Sequence, residues 1–188
     1  MPPKIKITKE EIVKTAVQLV REGGAVVLNA RGIAAALNCS TQPIFSNFTT
    51  MNELNEAVLN AVFGIYLDFL EKESRDGKYP RYKAFGMAYI RFAKEESHLF
   101  KLLFMRDREG GEFLPTSDFE QSVSMIVERT GLSEERAGLM HLEMWTAVHG
   151  IATMLATSFI SFDWELISDM LTDIYQGICL RHLAEEKK

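Results

Sequence analysis

The chain has 188 residues, 47% of them hydrophobic and 25% charged, which suffices for one large domain or a small domain fused to a larger one around a sizeable core. Its net charge of −5 excludes a uniformly basic nucleic-acid coat. The charge is not uniform, however: residues 1–50 carry a balance of +3, which leaves −8 on the remainder, and suggest a nucleic-acid-facing end on an acidic body.

Helical period dominates from the start. Thr8 with Glu11 has capping-box spacing, and Ile12, Ala16, Leu19 and Val20 share one face of a first helix that Gly23-Gly24 closes. Asn29 caps a second helix with Ile33, Ala34 and Leu37 inward. Asn38 occupies the turn, where a left-handed residue is often required and Asn is tolerated. Ser40 is expected to cap a third helix, with Pro43 in its first turn and Ile44 and Phe48 inward. Thr50 with Glu53 opens a long helix to about Glu71, and Arg75 to Pro80 form a break. Helices follow at roughly 81–95, 97–106 (Ser97 as cap), 117–130 (Ser117 with Glu120), 133–160 and 163–184. Gly110, Gly111 and Pro115 mark a loop, and the Lys/Glu tail at 184–188 is expected to fray. No strand alternation and no internal repeat is visible. The expected fold is all-α: an N-terminal three-helix helix-turn-helix domain over residues 1–50, then a larger helical domain over 51–188.

Two short helices meeting through a tight turn suit one helix to cross a DNA backbone and the next to enter the major groove. Gln42 can pair bidentately with adenine, and the Thr41 methyl can meet that of thymine. Ser46 and Thr49 are placed to donate to phosphates, and Lys4, Lys6 and Lys9 supply an electrostatic arm. The candidate DNA-facing set is Lys6, Arg31, Ser40, Thr41, Gln42, Phe45, Ser46, Asn47 and Thr49. The competing reading, a solvated face on a small helical subdomain, accounts for the polarity but not for caps, spacing and charge together.

Residues 8–54 resemble the DNA-binding domain of TetR-type transcriptional regulators. That family shows a capped first helix, Thr-x-x-x-Ile-Ala, a Gly-Val-Ser turn, Tyr-x-His-Phe and a Lys-x-x-Leu start to helix four. Here the pattern runs without a gap as Asn29, Ile33-Ala34, Asn38-Cys39-Ser40, Phe45-x-Asn47-Phe48, and Met51 with Leu54. The departures have consequences. Phe45 stands for a tyrosine whose hydroxyl bonds a phosphate, and Met51 for a lysine that meets the backbone, so two customary contacts are missing. Asn47 stands for the histidine and keeps hydrogen-bonding capacity. The resemblance implies an operator-binding protein with a weaker, less salt-dependent grip than the family norm.

Past residue 50 lie ten of twelve Phe, both Trp, all five Tyr and eight of nine Met. Such residues fill a core or line an adaptable apolar pocket. The resemblance implies a pocket, for which Phe63, Tyr66, Phe104, Met144, Trp145 and His149 are the candidates. Trp145 and His149 fall at i, i+4 with Gly150 beside them, which allows a close helix approach. The string resembles the Trp-x-x-x-His-Gly motif of one C-terminal subclass of these regulators. His98, His141 and Glu143 show no metal-ligand spacing with His149, and Cys39 and Cys179 are far apart, so neither metal nor cofactor is expected. On the last two helices, Leu139, Leu142, Ile151 and Leu155 line one face and Trp164, Ile167, Leu171, Ile174 and Ile178 another, with Asp163 as cap. Stripes too wide for one core contact suggest a partner surface, and the resemblance implies a two-fold dimer there.

The sequence therefore points to a ligand-responsive transcriptional regulator, acting as a repressor. It would bind a palindromic double-stranded DNA operator as a homodimer, with a small apolar or amphipathic effector shifting its affinity. The alternative is a dimeric small-molecule-binding protein with weak or lost DNA binding. No nucleophile elbow, paired carboxylates, phosphate-cradling loop or Cys–His dyad argues for an enzyme. Without a signal-like leader or a membrane-length apolar run, the expected setting is cytoplasmic, with no membrane partner.

Overall fold

The computed structural model describes residues 7–106 and 117–186. Lys4, Lys6, the loop with Gly110, Gly111 and Pro115, and the last two tail residues lie outside that range, as does the side chain of Ser117. The described residues form an all-α chain: α1 (Lys9–Gly23), a 3-10 turn (Ala25–Val27), α2 (Ala30–Ala36), α3 (Gln42–Asn47), α4 (Met51–Arg75), α5 (Arg81–Glu95), α6 (Ser97–Phe104), α7 (Ser117–Thr130), α8 (Glu134–Ala156) and α9 (Trp164–Glu186).

Two compact units divide the chain. The first takes α1 to α3, α4 through Asp68, and α6; the second takes α4 from Phe69, α5 and α7 to α9. The division falls inside α4, which runs without a break across residues 68–69.

In the first unit the caps act as their residue types dictate. The Thr8 hydroxyl accepts from Glu11 N at 3.1 Å, while the Glu11 carboxylate accepts from Thr8 N at 2.8 Å. Gly24, at φ 74°, ends α1, and Asn29 caps α2 by accepting from Gly32 N at 2.9 Å. The turn between α2 and α3 is a Schellman motif. Asn38 adopts φ 51°, Asn38 N donates to Ala35 O (3.1 Å), and Cys39 N donates to Ala34 O (2.9 Å). The third helix differs from expectation at its start. Thr41, already right-handed, holds the cap position, no side chain caps the helix, and Ser40 lies in the loop before it. Ile12, Ala16, Val17, Val20, Ile33, Ile44 and Phe48 form the core; Leu19 and Leu37 stay half-exposed, Val17 being buried on α1 instead.

The second unit is built on α5, whose Ala84, Met87, Ala88, Ile90 and Phe92 are buried. A Cβ at Gly86 would come within 3.3 Å of Val148 and 3.5 Å of Leu171, so the absence of a side chain lets α8 and α9 approach α5 closely. α8 stops at Ala156 rather than near residue 160. Ser158 turns left-handed (φ 57°), with Ser158 N on Leu155 O and Phe159 N on Met154 O, a second Schellman stop. Asp163 caps α9 through Leu166 N at 2.7 Å. The tail is ordered to Glu186, because Arg136 binds Glu185 at 2.9 Å and Glu186 at 2.6 Å.

Candidate nucleic-acid interface and body site

The recognition segment is held by a few anchors and exposes the rest. Ile44 is fully buried and Phe48 nearly so, which turns Gln42, Phe45 and Ser46 outward. Phe45 is 49% exposed, a large apolar side chain on an otherwise polar face. Ser40, Thr49 and Arg31 are exposed, Thr41 is half-buried, and Arg31 makes no ion pair among the described residues. Ser46 Oγ donates to Gln42 O within its own helix at 2.9 Å. Asn47 donates to Pro43 O at 2.8 Å and to Ile7 O at 3.2 Å. Lys6 lies outside the described residues.

Electrostatic links tie the surrounding elements. Glu53 accepts from Thr49 N at 2.6 Å and from Lys9 Nζ at 3.0 Å, and its own N–H donates to Thr50 Oγ1. The Thr49 N–H first, then Lys9, hold the Glu53 carboxyl below the ordinary carboxylate range. Lys9 is thereby engaged with Glu53 rather than standing free as part of a basic arm. At the other end of α1, Arg21 pairs with Glu96 at 2.8 Å, and His98 Nδ1 lies 3.0 Å from Arg21 O. α6 is thus bonded to α1. Between α1 and α4 runs a groove of about 1030 Å³ floored by Val13, Val17, Ala57, Ala61 and Ile65.

The pocket candidates fall in both units. Phe63, Tyr66 and Phe104 belong to the first, where Tyr66 is buried with its ring edge-on to Phe104 at 5.2 Å and tilted against Phe63 at 5.9 Å. Met144, Trp145 and His149 belong to the second. Met144 is buried; Trp145 stacks on His149 at 5.2 Å and 19° and remains 39% exposed. His149 Nδ1 shares a 2.8 Å hydrogen bond with the Tyr89 hydroxyl, and burial lowers its pKa. Among the described residues no neighbouring atom within 4 Å would meet a Cβ at Gly150, so none of them makes the close approach expected there.

A second pair repeats this chemistry. The Tyr82 hydroxyl lies 2.9 Å from His141 Nδ1, and burial pushes His141 down to about 4 and Tyr82 upward. Tyr82 and Tyr89 are seven residues apart on α5, His141 and His149 eight apart on α8, so the helices run side by side in the same direction. That Tyr/His register was the available sequence signal for both pairs. His182 lacked one: it is fully buried on α9, 3.1 Å from Glu143, which also binds Arg181. Burial pushes the Glu143 carboxyl up, but Arg181 and His182 bring it below its ordinary value.

The first unit carries a helix-turn-helix and the second a helical body. Residues 82–173, just under half of the chain, match the family model of the tetracyclin repressor-like C-terminal domain, which supports a transcriptional regulator of the TetR type. No curated protein matches it. Among the described residues no helix is long and apolar enough to cross a membrane.

Proposed function

We propose that the protein is a repressor that binds a palindromic operator as a homodimer and responds to a small apolar or amphipathic effector. The observation that carries the DNA reading is the α2–α3 turn. The left-handed Asn38 and buried Ile44 and Phe48 leave Gln42, Phe45 and Ser46 projecting from α3, with Arg31 uncompensated nearby. Thr41 and Gln42 face base edges; Ser40, Thr49 and Arg31 serve the phosphates, together with Lys6, as does Ser46 once its hydroxyl turns from Gln42 O. Open space beside Gly138, Gly150 and Gly177 and exposed Leu139, Leu142 and Leu180 support α8 and α9 as the dimer surface. For the effector, Phe63, Tyr66 and Phe104 are the candidates in the first unit and Met144, Trp145 and His149 those in the second. By favouring one of two reader separations the effector would change operator affinity, with the continuous α4 as lever.

Fluorescence anisotropy with duplex DNA from upstream of the protein's own gene tests this. Wild type should bind that duplex more tightly than an unrelated one, with a shallow salt slope, since Phe45 and Met51 supply no phosphate contact. Replacing Thr41 and Gln42 together by Ala should narrow the preference by about tenfold or more. Equal, weak affinity of wild type for both duplexes would instead favour a dimeric ligand-binding protein with lost DNA binding, the reading to which the apolar Phe45 lends support.

A further inference from the structure

α3 is six residues long, too short to hold itself in water. Its orientation must come from tertiary contacts. Ile44 and Phe48 bury one edge, but two apolar anchors leave the helix free to roll about the line joining them. A third point is supplied by Asn47. Its Nδ2 donates to Pro43 O one turn back (2.8 Å) and to Ile7 O just before α1 (3.2 Å). Because both partners are carbonyl oxygens, the atom facing them is the nitrogen, and its two N–H groups are both used. What remains of the amide is an oxygen, which a phosphate repels. A second tie lies alongside. Glu53 accepts from Thr49 N and from Lys9 Nζ, and the Lys9 ammonium sits 4.9 Å over the ring of Phe48.

We propose that Asn47 is a positioning residue: with the Lys9–Glu53 tie it latches the end of α3 to the start of α1, so that the reading face is aimed before DNA arrives. The inference rests on α3 being the DNA-contacting helix and assigns Asn47 to the aim of that helix rather than to a phosphate. Fixing the helix in advance removes an ordering cost from binding and sharpens discrimination between sequences.

Amide hydrogen exchange of the DNA-free protein, set beside affinities for own-promoter and unrelated duplexes, tests the latch. Asn47→Ala should speed exchange at residues 44–48 about fivefold, the loss of a typical hydrogen bond. It should also narrow the promoter preference while leaving the salt slope unchanged. Wild-type exchange in the free protein, combined with an equal loss of affinity on both duplexes, would mark Asn47 as a phosphate contact and overturn the proposal. Should Asn47→Ala not fold, Lys9→Met breaks the second tie alone and should speed the same amides; unchanged exchange there counts against the latch. If wild type binds neither duplex, the DNA reading fails, whereas the exchange arm still decides whether the latch exists.

Discussion

His141 shows how a residue's surroundings outweigh its type. Burial against Phe119 and the Tyr82 hydroxyl holds its pKa at about 4 from an ordinary 6.5. The unfolded chain takes up a proton that the folded chain resists. The resulting stabilisation is complete above pH 6.5 and is lost as pH falls through that value toward 4. Its size is on the order of 2 kcal/mol across the window. Denaturant midpoints measured between pH 4 and 7 should fall less steeply for His141→Phe than for wild type; parallel curves would remove His141 from the account. The sequence offered only the Tyr/His register on α5 and α8; nothing near His141 in the chain revealed its burial. Asn47 is the same lesson in reverse: its type suggested a bond to DNA, and its neighbours took both its donors.

Between elements, buried charge matters where it joins helices. Glu73, in the last turns of α4, is nearly buried and accepts from Arg91 of α5 at 2.9 Å, and the Arg91 guanidinium lies 4.5 Å over the Trp164 ring at the start of α9. Three helices meet at one ion pair. Glu73→Gln should cost about 3 kcal/mol in chemical denaturation, the low end for breaking a buried pair because Arg91 keeps some contact with water. A loss under about 0.5 kcal/mol would show the pair to be incidental. Helix boundaries tell a related story. Asn38 was legible as a left-handed turn residue, since Asn tolerates that conformation. Ser158 was not, because Ser carries no such preference, and α8 was read four residues too long.

At the scale of the molecule, the stripes read along α8 and α9 meet different surroundings. Ile151, Leu155, Ile167 and Leu171 pack inside the chain, Trp164, Ile174 and Ile178 are half-buried, and Leu139 and Leu142 stay exposed; Leu180, not among the stripe residues, is 69% exposed. The exposed leucines are the ones open to a partner copy. Introducing charge at Leu139 and Leu142 together (Leu139→Glu with Leu142→Glu) should shift a dimer to monomer in sedimentation velocity at micromolar concentration, with helicity retained. A variant that sediments as wild type does would rule this face out as the dimer contact.

Local rules carried much of the chain on their own. Capping spacings at Thr8 and Asn29, the Asn38 turn, the 3.6-residue period and the Asp163 cap each involve residues within a few positions of one another. Short-range chemistry is therefore enough to write the helices and the reader motif. Long-range pairing needed the fold. Asn47 with Ile7, Glu73 with Arg91, Tyr82 with His141 and Glu143 with His182 are separated by 18 to 59 residues. Which polar group consumes which donor, and which leucines remain for a partner, depends on packing that no sequence window contains.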